Sequence, residues 1–168
     1  KYIIDEPVTV SVSLNPRGTG DYSKTEIYLT DVDLGTVEAT VTQGKTAVEL
    51  AMGHSYKLST NDGGVRATVA ESDTFVAGNE PIVIDLDDIN DETLTGTITG
   101  TPAGTVTGIT FTNMINGNTY EAAIDGETYS VVLKPGEYNT SVVTTNGGVT
   151  YDRVSVVEGG TAAGTNVN

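Results

Sequence analysis

Cysteine and tryptophan are absent from this chain of 168 residues, and histidine occurs once. Without cysteine there is no disulfide, no thiolate nucleophile and no thiolate metal site. Without tryptophan, and with aromatics at 6% of the chain, modest cores are expected rather than one large aromatic-lined cavity. His54 would have to anchor any nucleophilic triad, yet no nucleophile elbow accompanies it, and its place after Gly53 reads as an ordinary loop position. Paired carboxylates cleave glycosides only across a cleft that holds them about 5–10 Å apart, and small β-sandwiches rarely provide one. Basic residues are scarce, 8 against 23 acidic ones, and the net charge of −15 opposes nucleic acid and anionic membrane surfaces. No run reaches the ~20 apolar residues needed to cross a bilayer, and no amphipathic stretch spans three helical turns. No charged segment precedes an apolar stretch at the amino terminus, as expected of a mature or excised fragment.

What the chain does contain is glycine, 20 residues of it, among many Thr and Val. β-Branched side chains suit a pleated surface and glycine supplies tight turns, so the expectation is all-β. Val8, Val10, Val12 and Leu14 alternate with Thr9, Ser11 and Ser13 in the period of two that buries one strand face. Similar segments follow at 25–31, 36–42, 46–52, 55–60, 65–71 and 81–86, separated by Gln43-Gly44, Gly53 and Asn61-Asp62-Gly63-Gly64. The pattern restarts at 93–99 and runs through 106–112, 119–124, 128–133, 137–145 and 149–157 to a strand in the last few residues. Asn116-Gly117 and Asp125-Gly126 predict type I′ hairpins, and Lys134-Pro135-Gly136 a type II turn. The halves read as copies. Gly53-His54-Ser55-Tyr56 and Thr60-Asn61-Asp62-Gly63-Gly64-Val65 match Gly136-Glu137-Tyr138 and Thr144-Thr145-Asn146-Gly147-Gly148-Val149, and Gly78 matches Gly159 or Gly160. The expected fold is therefore two tandem immunoglobulin-like or transthyretin-like antiparallel β-sandwiches, residues 1–89 and 90–168, each near the size of one small sandwich.

Leu94-Thr95-Gly96-Thr97-Ile98, Asp125-Gly126-Glu127-Thr128-Tyr129-Ser130 and Leu133-Lys134-Pro135-Gly136-Glu137-Tyr138 resemble the carboxypeptidase-regulatory-like and collagen-adhesin B-type repeats. The resemblance covers most of the second half and rests on turn chemistry. It implies a prealbumin-like sandwich and an extracellular setting. Adhesin repeats of this kind often carry a Lys-to-Asn cross-link from first strand to last, and residues 93–99 hold no lysine to supply it. Such paired modules are also similar to accessory domains of secreted bacterial enzymes that degrade polysaccharides, pectin among them.

Four groups of residues could carry binding. Asp85, Asp87, Asp88, Asn90, Asp91 and Glu92 form the densest acidic run, at the expected junction, and suit Ca²⁺, which takes six to eight oxygens in a flexible shell. The other reading of this run is a solvated linker. Asp31 and Asp33 are a second cation candidate. Tyr28, Tyr56, Tyr129 and Tyr138 are expected in the cores, which leaves Tyr22 and Tyr151 as exposed platforms for a sugar. Lys45, Lys57 and Arg66 belong to a first half that holds six of the eight basic residues. If Asn61 to Gly64 closes a hairpin, Lys57 and Arg66 emerge diagonally on one outward face, suited to a polygalacturonate chain. The expected function is thus non-catalytic binding of a pectin-like polysaccharide through Lys57, Arg66, Lys45 and Tyr22. A structural spacer joined to other domains of a larger protein, stiffened by Ca²⁺, is the alternative. Adhesion through an open strand edge is a third reading.

Overall fold

The computed structural model describes residues 6–98, 105–145 and 149–158, without the side chains of 149–152. The turn at Asn146-Gly147-Gly148, the glycines at 159 and 160, the end of the strand expected over 93–99, the strand expected in the last few residues, and the Tyr151 side chain lie outside the described residues. The structure is all-β. Two compact units divide the chain, Lys1–Asp88 and Ile89–Asn168, and each has its own hydrophobic core.

The first unit contains β1 (Pro7–Pro16), β2 (Ile27–Asp31), β3 (Val37–Val41), β4 (Ala47–Ala51), β5 (Ser55–Thr60), β6 (Val65–Thr68), β7 (Thr74–Val76) and β8 (Ile82–Asp88). They form two four-stranded sheets, β4-β1-β8-β6 and β3-β2-β5-β7. Val10 and Val12 of one sheet and Ile27, Leu29, Tyr56 and Leu58 of the other meet in the core, while Thr9, Ser11 and Ser13 face solvent. Period-two alternation and two facing sheets make this a β-sandwich. The pairings are antiparallel except one. β1 runs antiparallel to β4 through Ser11↔Ala47, then parallel to β8 from Val12↔Ile82 to Pro16↔Leu86.

The second unit contains β9 (Glu92–Thr97), β10 (Val106–Asn113), β11 (Thr119–Glu121), β12 (Ala123–Asp125), β13 (Thr128–Leu133), β14 (Gly136–Thr144) and β15 (Val149–Val156). The sheets are β11-β10-β14-β15 and β12-β13-β9. Residues 119–124, read from sequence as one strand, are two. At Ala122, whose N–H donates to the Ile109 carbonyl at 2.9 Å, the chain leaves β10 and crosses to β13. The hairpin after Asp125 has Gly126-Glu127 at its centre, and Gly126 alone has positive φ (+61°), the pattern of a type II′ rather than a type I′ turn.

The two units share one local device, visible at the ends of β2 and β10. Asp31 Oδ1 accepts the N–H groups of Asp33 and Leu34 at 3.0 and 3.1 Å, and Asn113 Oδ1 accepts those of Ile115 and Asn116 at 2.8 and 3.1 Å. Each turn closes on a glycine of positive φ, Gly35 or Gly117, whose N–H returns to the Asp31 or Asn113 carbonyl. Behind it, Tyr56 and Tyr138 are both fully buried at the start of their strands. Tyr56 Oη accepts the Ala51 N–H at 2.9 Å, and Tyr138 Oη donates to the Lys134 carbonyl at 2.7 Å. A buried phenol must be hydrogen-bonded, and here the bond also fixes the crossing between sheets.

Of the four tyrosines expected inside, Tyr56, Tyr129 and Tyr138 are buried. Tyr28 is not. Ile27, Leu29 and Asp31 take the inward positions of β2, so Tyr28 points outward and donates to Glu26 at 3.0 Å.

Candidate functional site

The acidic run predicted to gather a cation instead stitches the first strand of unit 1 to its last. In β8, Ile82, Ile84 and Leu86 turn into the core, which leaves Asp85 and Asp87 on the outer face. Asn15, opposite Asp85 in the parallel register, donates Nδ2 to Asp85 Oδ1 at 2.8 Å. Arg17 meets Asp87 with two bonds, Nε to Oδ1 at 2.9 Å and Nη2 to Oδ2 at 2.6 Å, a bidentate fork. Its Nη1 also reaches Glu71 Oε1 at 2.6 Å, and its backbone N–H donates to the Leu86 carbonyl at 2.8 Å. The Arg17 fork holds the Asp87 carboxyl below its ordinary range, against a smaller opposing push from burial.

Asp88 turns the other way, into the loop that follows β1. Its Oδ2 accepts the Thr19 N–H at 2.8 Å and Thr19 Oγ1 at 3.2 Å. Its Oδ1 accepts the Tyr22 hydroxyl at 2.6 Å and the Gly20 N–H at 3.3 Å. Burial pushes this carboxyl up, but the bonds from Tyr22, Thr19 and Gly20 outweigh it and hold it below the ordinary range. Burial first, and the Asp88 bond second, push the Tyr22 hydroxyl up. The loop closes this tightly because Gly18 and Gly20 have no side chain. A Cβ on Gly18 would collide with the Tyr22 hydroxyl and the Asp88 carboxyl, and one on Gly20 would lie 2.8 Å from Asp88 Oδ1.

The proposed calcium ligands are therefore not brought together. Asp85 takes Asn15 and, at 3.6 Å, Arg17; Asp87 takes Arg17; Asp88 takes Tyr22; and Asp91, in unit 2, pairs with Lys134 Nζ at 3.0 Å while the same ammonium donates to the Ile89 carbonyl at 2.9 Å. Among the described residues no group of three or more His, Cys, Asp or Glu is placed to hold a metal ion. Asp31, the second cation candidate, is 1% exposed and bonded to His54 Nδ1 at 2.6 Å in addition to its own turn, while Asp33 is exposed. The His54 bond leads the effects that hold Asp31 below its ordinary range. Asp31 and His54 line a cleft of about 260 Å³ with Glu38, Glu49, Leu50 and Tyr56. An oriented imidazole there resembles the base half of a nucleophilic triad, but among the described residues Tyr56 brings the one hydroxyl in the cleft wall, and that hydroxyl accepts the Ala51 N–H. The counterparts of Asp31 and His54 in unit 2 are Asn113 and Gly136, so the turn itself does not require the pair.

The basic face expected of Lys57 and Arg66 does not form. Asn61 to Gly64 does not close a hairpin but carries the chain from one sheet to the other, because both edges of β5 are already taken by β2 and β7. β6 pairs with β8 instead. Asp62, buried, receives the Gly64 N–H on Oδ1 at 2.8 Å and the Thr60 hydroxyl on its carbonyl at 2.7 Å, which shapes the crossing. Lys57 and Arg66 are both exposed but on different sheets. Lys57 lies between Thr30 and Thr74, and Arg66 lies opposite Asp87. Lys45 and Tyr22 share a second cleft of about 260 Å³, beside Val12, Leu14 and Leu86, where β1 has left β4. Tyr22 is half-buried and packed on the core rather than an open platform.

Sequence reasoning missed the seam itself. Its signal is the pairing of Asn15-Pro16-Arg17-Gly18-Thr19-Gly20 with Asp85 to Asp88, and only knowing that β1 and β8 are parallel neighbours puts the two segments in register.

Fold and site together define an all-β protein whose densest polar cluster joins strands to one another. No protein-family model and no curated protein matches the chain. Among solved structures, it is similar to the Bacillus anthracis TIE protein, with 12% identity and a TM-score of 0.38 over 95% of this chain and 33% of that one. It is also similar to a candidate adhesin from Bacteroides ovatus, with 10% identity and a TM-score of 0.32 over 88% of this chain and 82% of the other. The chain thus spans about one third of the length of the TIE protein.

Proposed function

We propose that the chain is a non-catalytic pair of β-sandwich modules that acts as a structural spacer within a larger extracellular protein. The observation that carries this reading is the seam. The side chains best suited to hold a ligand are engaged within unit 1, Arg17 with Asp87, Asp85 with Asn15 and Asp88 with Tyr22. The turn motifs of the second half, similar to adhesin-type repeats, are consistent with the extracellular setting and a prealbumin-like second module.

A second reading, binding of a pectin-like polysaccharide, is favoured by one feature, the cleft that Lys45 and Tyr22 both line. Affinity gels against homogalacturonan, esterified pectin, xylan and β-glucan, each with calcium and with chelator, separate the two. The spacer reading expects no retardation by any polymer in either condition. Retardation that Lys45→Ala removes would overturn it in favour of a binding module.

A further inference from the structure

We infer that the β1–β8 seam is a mechanical clamp, which makes unit 1 resist tension applied along the chain. The inference deepens the spacer reading and rests on it, since a spacer in line between two anchors is pulled at its ends.

β1 and β8 are the first and last strands of unit 1, and they run parallel from Val12↔Ile82 to Pro16↔Leu86. Tension enters at the amino end of β1 and leaves at the carboxyl end of β8, where the chain continues into unit 2. In a parallel pair these points lie at opposite ends of the ladder. The force therefore slides one strand along the other and strains all the bonds between them together. Had the terminal strands been antiparallel, the same force would open the ladder one bond at a time, from one end.

The side chains add to that ladder in register. Asn15–Asp85, Arg17–Asp87 and the closure of Thr19, Gly20 and Tyr22 on Asp88 all connect the carboxyl end of β1 to β8, each holding against the same sliding motion. Gly18 and Gly20 permit the closure, since a Cβ on either would meet the Asp88 carboxyl. Arg17 is 36% exposed, and exposed ion pairs add little to equilibrium stability. Under force the quantity that matters is the barrier to unfolding, and bonds that must break together raise it.

The test is single-molecule pulling of the full chain in two directions. One arrangement attaches handles at the amino terminus and at Asn90→Cys, which loads the seam in shear. The other attaches them at Ser23→Cys and Asn90→Cys, which peels β1 and β8 apart from their shared carboxyl ends. Ser23 and Asn90 are both exposed, so neither attachment disturbs the core. The clamp predicts a several-fold higher unfolding force in the first arrangement, and a larger fall on Arg17→Gln in that arrangement than in the other. Equal forces in both directions would overturn it, as would an Arg17→Gln effect of the same size in both, which marks a merely structural contact. Retardation in the affinity gels bears on the spacer reading and leaves the directional comparison untouched, so each idea can fail without the other.

Discussion

Ala70 and Glu71 are the two non-glycine residues of positive φ among those described, at +50° and +65°. They form the centre of a tight turn closed by Val69 and Ser72, which exchange backbone bonds of 2.8 and 3.0 Å. Residues in the left-handed region normally need glycine or asparagine, and Ala-Glu lacks that signature, so the sequence reads unbroken strand over 65–71 where the chain in fact reverses. The reversal is what delivers Glu71 to Arg17. Ala70 is exposed and holds no such contact, so Ala70→Gly is expected to stabilise the protein. Net of the extra freedom glycine gives the unfolded chain, the gain is about 0.5 kcal/mol, checked by denaturant unfolding.

Among the elements, β14 shows how one hydroxyl can organise a crossing. The Tyr138 ring is fully buried, packed edge-on against Tyr120 with centroids 6.2 Å apart, and its hydroxyl holds the Lys134 carbonyl between β13 and β14. Lys134 in turn reaches the Ile89 carbonyl and Asp91, just before β9. Tyr138→Phe keeps the ring and leaves the carbonyl with one bond fewer. It should destabilise the protein by about 1 kcal/mol with the denaturant dependence unchanged. The presence of β14 was legible from the alternation around Tyr138. The partners of β5 were not, because edge availability is a property of the assembled sheet, and so Lys57 and Arg66 were placed on a face that does not form.

Across the whole molecule, acid should weaken unit 1. Asp31, Asp87 and Asp88 are held below their ordinary range in the folded protein and all belong to that unit. A depressed folded value means that the unfolded chain binds protons more readily. The stability from these groups is therefore complete above about pH 4 and is lost as pH falls through the folded values. Asp62 works in the opposite sense, since burial raises it. Protection of the Thr19 and Gly20 amides, whose N–H groups close on Asp88, measured as the exchange rate relative to the intrinsic rate of the unfolded chain at each pH, is expected to fall on acidification from pH 6 toward about pH 3. In Asp88→Asn that dependence should shrink. An unchanged profile in the variant would mean that Asp88 does not carry it.

The sequence by itself determined that the protein is all-β, because alternation of period two, β-branched residues and glycine turns act locally and need no partner to be read. It also determined that Val10, Tyr56, Tyr129 and Tyr138 would be buried, since each stands in phase with an apolar strand face. Only the tertiary structure decided what the acidic run is for. Asp85 to Asp88 look like a cation site when read alone. They become a seam once the parallel register brings Asn15 and Arg17 alongside and the glycine loop closes on Asp88. A charge has no meaning until its partner is known, and here the partners are 66 to 70 residues away.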